Sequence, residues 1–94
     1  MNSKKIVKKW YPQIEDKEKV SQEFFRNAIC FYGEKPERVV NFLNTLPAEN
    51  CERLDRAFTK MRERAQQYCH DKRISKKKED EIFEQLVHGK LKEN

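Results

Sequence analysis

Pro47-Ala-Glu-Asn-Cys51-Glu-Arg-Leu54-Asp-Arg-Ala-Phe58-Thr-Lys-Met61-Arg-Glu-Arg-Ala65-Gln-Gln-Tyr68-Cys-His-Asp-Lys72 is the stretch from which the rest of this chain can be read. Cys51, Leu54, Phe58, Met61, Ala65 and Tyr68 recur three and four residues apart without a break. That is an a/d pattern, and it predicts one long helix over about residues 47–72 with a single apolar seam. A stripe this narrow is not stable alone, so other helices must cover it. The seam is expected to be buried within the chain, with a homodimer through the same six residues as the alternative.

Upstream, the same periodicity recurs in shorter pieces. Ser3 is a candidate cap for a short helix or arm over residues 1–14, where Ile6, Val7, Trp10 and Tyr11 share a face before Pro12 ends it. Asp16 is a candidate N-cap for a second helix, buried through Val20, Phe24, Ala28, Ile29, Phe31 and Tyr32. Gly33 is placed to end it as a left-handed cap residue. Pro36 suits the first turn of a third helix with Val39, Val40, Phe42, Leu43 and Leu46 inward. The paired valines also allow an extended reading of residues 38–43, but the spacing fits a helix better. Thr45 and Pro47 are read as the start of the long helix. Downstream, Ser75 is expected to cap a last helix with Ile82, Phe83, Leu86 and Val87 turned inward, Gly89 near its end and residues 90–94 frayed.

The fold class expected is therefore all-α: one small four- to five-helix bundle with short connections, spanning residues 1–94 as a single domain. Ninety-four residues suffice for one modest core. Two glycines and three prolines supply too few turns for a sheet of many hairpins. The charged fraction, 39%, exceeds the hydrophobic fraction, 36%, which borders on disorder when apolar residues are scattered. Here they fall at helical spacing, so a folded domain with a heavily solvated exterior is expected.

Cys30, Cys51 and Cys69 are odd in number and widely spaced, unlike the even, dense set of a secreted mini-protein. No apolar run is long enough for a signal peptide or a membrane span. A cytoplasmic protein with free thiols is the expectation, with no membrane partner. Neither C-x-x-C nor H-x-x-x-H is present, and Cys51 and Cys69 lie more than ~20 Å apart on one helix. No metal site and no cofactor are expected.

Positive charge is where chemistry gathers. The formal net charge is +5. At about 100° per residue, Arg53, Arg56, Lys60 and Arg64 fall together on one side of the long helix. Glu52, Asp55, Thr59 and Glu63 fall in a mixed sector beside them. A row of cations about one turn apart can follow the phosphates of a nucleic-acid backbone, and arginine holds phosphate with two parallel hydrogen bonds. Lys72, Arg73, Lys76, Lys77 and Lys78 form a second basic cluster. If Ser75 caps the last helix, three lysines occupy its first turn, where the helix dipole disfavours them, and an outside anion would relieve the conflict. A start nearer Lys78 would leave them in a loop instead. Lys4, Lys5, Lys8 and Lys9 flank Trp10 and Tyr11, and Trp10 is expected in the core. Glu79 to Glu81 and Glu84 read as solvated helix surface.

Arg64-Ala-Gln-Gln-Tyr-Cys-His70 resembles the R-x(4–6)-H signature of HEPN-type ribonucleases, which are helical bundles. The resemblance covers seven residues and implies RNA cleavage by Arg64 and His70 paired across two subunits. No catalytic constellation is legible from spacing, and a non-enzyme is expected. The reading is a small basic regulatory protein of bacterial or phage type that contacts phosphates non-specifically. Its contacts would be Arg53, Arg56, Lys60 and Arg64, extended by Lys76, Lys77 and Lys78. The alternative is a protein-binding module, an adaptor, inhibitor, immunity protein or antitoxin, whose cations meet an acidic protein.

Overall fold

A computed structural model describes residues 2–91, and among them the chain is all-helical with no strand. Five α-helices follow in order: α1 Ser3–Trp10, α2 Gln22–Tyr32, α3 Pro36–Thr45, α4 Ala48–Asp71 and α5 Glu79–Val87. Short 3-10 turns at Tyr11–Gln13 and Lys76–Lys78 precede the α1–α2 loop and α5. No described helix is long and apolar enough to cross a membrane.

Two apolar clusters hold the helices together. The first joins Ile14, Val20, Phe24, Phe25, Ala28, Ile29, Val39, Val40 and Leu43 to Cys51 and Phe58 of α4. The second joins Cys30 to Ala65 and Cys69 of α4 and to Ile82 and Phe83 of α5. The long seam is thus used within the chain. It is also rotated from the apolar pattern: Cys51, Phe58, Arg62, Ala65 and Cys69 are buried, while Leu54, Met61 and Tyr68 are only half-buried. Trp10 is likewise half-buried, packed on the first cluster.

Several boundaries differ from expectation, each for a local reason. Asn2, not Ser3, caps α1, its side chain accepting from Lys5 N at 3.2 Å, while Ser3 is buried. Ser21 caps α2 by accepting from Phe24 N at 3.1 Å. Asp16 instead closes a turn, its Oδ1 accepting from the Glu18 and Lys19 amides at 3.1 Å. Thr45 ends α3, its hydroxyl donating to the Phe42 carbonyl at 2.9 Å, and does not start α4. The carbonyl of Pro47 accepts the first amides of α4, from Asn50 and Cys51 at 3.0 Å. Phe42, expected inside, stands 42% exposed, because α3 packs on α1 and α2 and leaves its Phe42 flank uncovered.

Gly33 ends α2 with φ +59°, as its position predicts. The long helix ends without a glycine: Arg73 takes φ 56°, and Ile74 N donates to Cys69 O at 2.8 Å in a Schellman-type closure. At the other end of α5, Gly89 has φ 71° and Lys90 N donates to Gln85 O at 2.8 Å. Lys90 and Leu91, expected to fray, are therefore tied back, and residues 92–94 of that expected tail lie outside the described residues.

Candidate nucleic-acid interface

The helix α4 carries charge on two sides. On the side opposite the core, Arg53, Arg56, Lys60 and Arg64 are all exposed. They span about 16 Å along the axis at about 1.5 Å per residue. None of Arg53, Arg56 and Lys60 makes an ion pair with a described residue. Like charges three and four residues apart cost a few tenths of a kcal/mol per pair, roughly, when nothing offsets them. The mixed sector splits. Glu52, Thr59 and Glu63 are exposed, whereas Asp55 is half-buried and its carboxyl is pushed up by burial and by the nearby Glu23 charge.

The opposite side of α4 holds a charged junction that periodicity did not reveal. Arg62 is 4% exposed. Its Nε donates to Asn27 Oδ1 at 2.9 Å, and its Nη1 donates to Asp80 Oδ1 at 2.9 Å and reaches Glu79 Oε2 at 3.4 Å. The guanidinium lies over the Phe83 ring, 4.1 Å from the centroid. Asp80 also accepts from Arg26, whose Nε donates to Oδ1 at 3.0 Å, and from the buried Ser3 hydroxyl. One carboxylate thereby ties α1, α2 and α4 to the start of α5. Burial opposes ionisation of Asp80, but the Arg26 hydrogen bond and the charges of Arg26 and Arg62 prevail and hold its carboxyl below the usual range. Among the described residues no buried side-chain nitrogen or oxygen lacks a partner.

This junction corrects the reading of Glu79 to Glu81 as solvated surface, for Glu79 and Asp80 face Arg62. The missed signal was positional: Arg62 falls four residues after Phe58 and three before Ala65, inside the buried arc. It also resolves the dipole conflict at the last helix. Ser75 caps only the 3-10 turn, accepting from Lys77 N at 3.3 Å, and α5 proper begins with Glu79, Asp80 and Glu81. Acids occupy the first turn, where the dipole favours them, and Lys76 to Lys78 precede it. An outside anion is not needed at that point to offset the dipole.

Lys76 and Lys77 line depressions that include no cation of the row from Arg53 to Arg64. Lys77 lines a surface depression with Lys4, Asp80, Glu81, Glu84 and His88, on the α1–α5 side. Lys76 lies beside Gln66, His70 and Glu79. Lys78, exposed, immediately precedes α5. The row from Arg53 to Arg64 faces away from the core. Arg64 and His70 leave α4 about 120° apart at about 100° per residue, so one chain does not juxtapose them. The His70 side chain is 84% exposed, with Nδ1 3.6 Å from Asp71 Oδ1.

The three thiols are buried, and burial pushes each of them up, Cys30 to about 11 with help from the Asp80 charge. Among the described residues no three His, Cys, Asp or Glu side chains are grouped as a metal ion requires. Compared with protein-family models, with curated proteins and with solved structures, the chain matches none.

Proposed function

We propose that this protein binds the phosphate backbone of nucleic acid through the outer side of α4. The observation that carries the reading is the triad Arg53, Arg56 and Lys60: exposed, one turn apart, and without an ion pair to any described residue. Their neighbour Arg64 extends the row. Contrast Arg62 on the same helix, whose charge is fully used inside the protein. Arg53, Arg56 and Lys60, without an ion pair along a rigid helix, suit a ligand that carries regularly spaced anions. Contacts of this kind position a strand but do not read its bases, so affinity depends on salt and little on sequence.

Titration of labelled oligonucleotides at two salt concentrations tests the reading. Binding is expected at low salt, with a steep loss as salt rises. The charge reversal Arg56→Glu with Lys60→Glu should weaken binding to every sequence alike. Absence of binding at low salt defeats the reading. A pull-down with and without nuclease separates it from an acidic protein partner, which would survive the nuclease.

A further inference from the structure

We propose that the groove between α3 and α4 seats an unstacked base, making single-stranded nucleic acid the preferred ligand of the basic row. This rests on the phosphate-binding reading of Arg53, Arg56 and Lys60. Among the described residues Phe42 is the exposed large hydrophobic side chain. Tyr32 holds its ring in an edge-to-face pair, 5.5 Å between centroids at 75°. On the α4 side, the groove beside Phe42 is lined by Leu46, Asn50, Arg53, Leu54 and Ala57. A mostly apolar lining that includes one amide-bearing and one guanidinium-bearing residue suits a base with its attached phosphate. The guanidinium is Arg53, the first cation of the row, so groove and row are continuous.

Charge decides on which side of Phe42 the strand runs. On the α3 side, Arg38 pairs with Glu34 at 3.6 Å and offers no surplus charge. On the α4 side, Arg53 has no ion pair with a described residue. An anionic strand is therefore drawn along α4. A duplex keeps its bases stacked inward and cannot deliver one to a ring set between two helices. A protein partner fits less well: stable interfaces bury about 800 Å² per partner around several large anchors. A single exposed ring is matched to a single base.

The test is fluorescence anisotropy at low salt with a labelled oligothymidine and a duplex of the same length, for the native chain, Phe42→Ala, Phe42→Trp and Arg56→Glu/Lys60→Glu. Circular dichroism checks each fold. Expected is tighter binding to the single strand than to the duplex. Phe42→Ala should weaken single-strand binding about ten-fold and leave duplex binding as it was, since one stack is lost. Phe42→Trp should retain single-strand affinity. If Phe42→Ala leaves single-strand affinity unchanged, or lowers both ligands equally, the groove inference is overturned. In that case binding abolished by Arg56→Glu/Lys60→Glu keeps the basic row intact as a site. If the native chain binds neither ligand, the phosphate reading itself fails and the groove inference falls with it.

Discussion

Lys60 and Arg62 stand two residues apart on α4 and meet opposite surroundings. Lys60, like Arg53 and Arg56, is exposed and makes no ion pair with a described residue. Arg62 is enclosed, hydrogen-bonded to Asn27, Asp80 and Glu79 and laid over Phe83. The contrast teaches that charge on this helix has two uses, and that rotation by about 160° around the axis, roughly two residues, separates them. In the junction a cation joins α4 to α2 and α5. On the outer side Arg53, Arg56 and Lys60 stand exposed without an ion pair to a described residue.

Breaking the junction should have the largest effect. Asp80→Ala leaves Arg62 buried without its main carboxylate and removes the partner of Arg26 and Ser3. A loss of about 3–5 kcal/mol is expected in urea unfolding. A domain of this size has roughly 5–15 kcal/mol in total, so the variant would be close to unfolded. Arg62→Met removes the charge along with its need for partners, keeps an apolar stem near Phe83 and leaves Asp80 paired to Arg26. It should cost less, about 1–3 kcal/mol. Equal losses for the two variants would show that an uncompensated charge is not what makes the first one severe.

Acid sharpens the same point. The folded protein holds Asp80 below its ordinary 3.8, so its contribution is present above that value and is lost as pH falls through the lower folded value. Urea midpoints should drop below about pH 4, with a smaller drop in Asp80→Asn. Matching acid limbs for the two proteins would remove Asp80 from the account.

A smaller effect is expected at the end of α4. Arg73 holds a left-handed backbone that glycine adopts more readily. Arg73→Gly should raise stability by about 0.5–1 kcal/mol, read as a higher urea midpoint. The smallest stability effect belongs to the outer row. Arg56→Glu/Lys60→Glu should shift stability by no more than about 0.5 kcal/mol while it removes nucleic-acid binding. A large destabilisation there would mean that the row supports the fold, and the contrast with Arg62 would dissolve.

Legibility followed the range of the interactions. Helix existence was written in the spacing of Phe24, Ala28 and Ile29, of Val39, Val40 and Leu43, and of Cys51, Phe58 and Ala65. The left-handed end of α2 was written in Gly33. Cap choices were less legible, because Asn2 or Ser3, and Asp16 or Ser21, are chemically similar candidates and the packing of the first turn selects between them. The end of α4 at Arg73 bore no glycine to announce it. Of the candidate site, the alignment of Arg53, Arg56, Lys60 and Arg64 on one side was legible, since it follows from helix geometry alone. The groove beside Phe42 was not, for it depends on α3 lying away from that flank.

The sequence by itself determined that the chain is helical, where its longest helix runs and which cations share that helix's outer side. These follow from backbone periodicity, a local property that each segment carries with it. Only the tertiary structure decided that Arg62 lies inside and that Glu79 and Asp80 are partners rather than surface. It also decided that Lys76 and Lys77 line depressions without a cation of the outer row, and that Phe42 remains uncovered. Those outcomes depend on which helix lies against which. Asp80 meets Ser3 and Arg26 across 77 and 54 residues of chain, and no local pattern encodes contacts of that range.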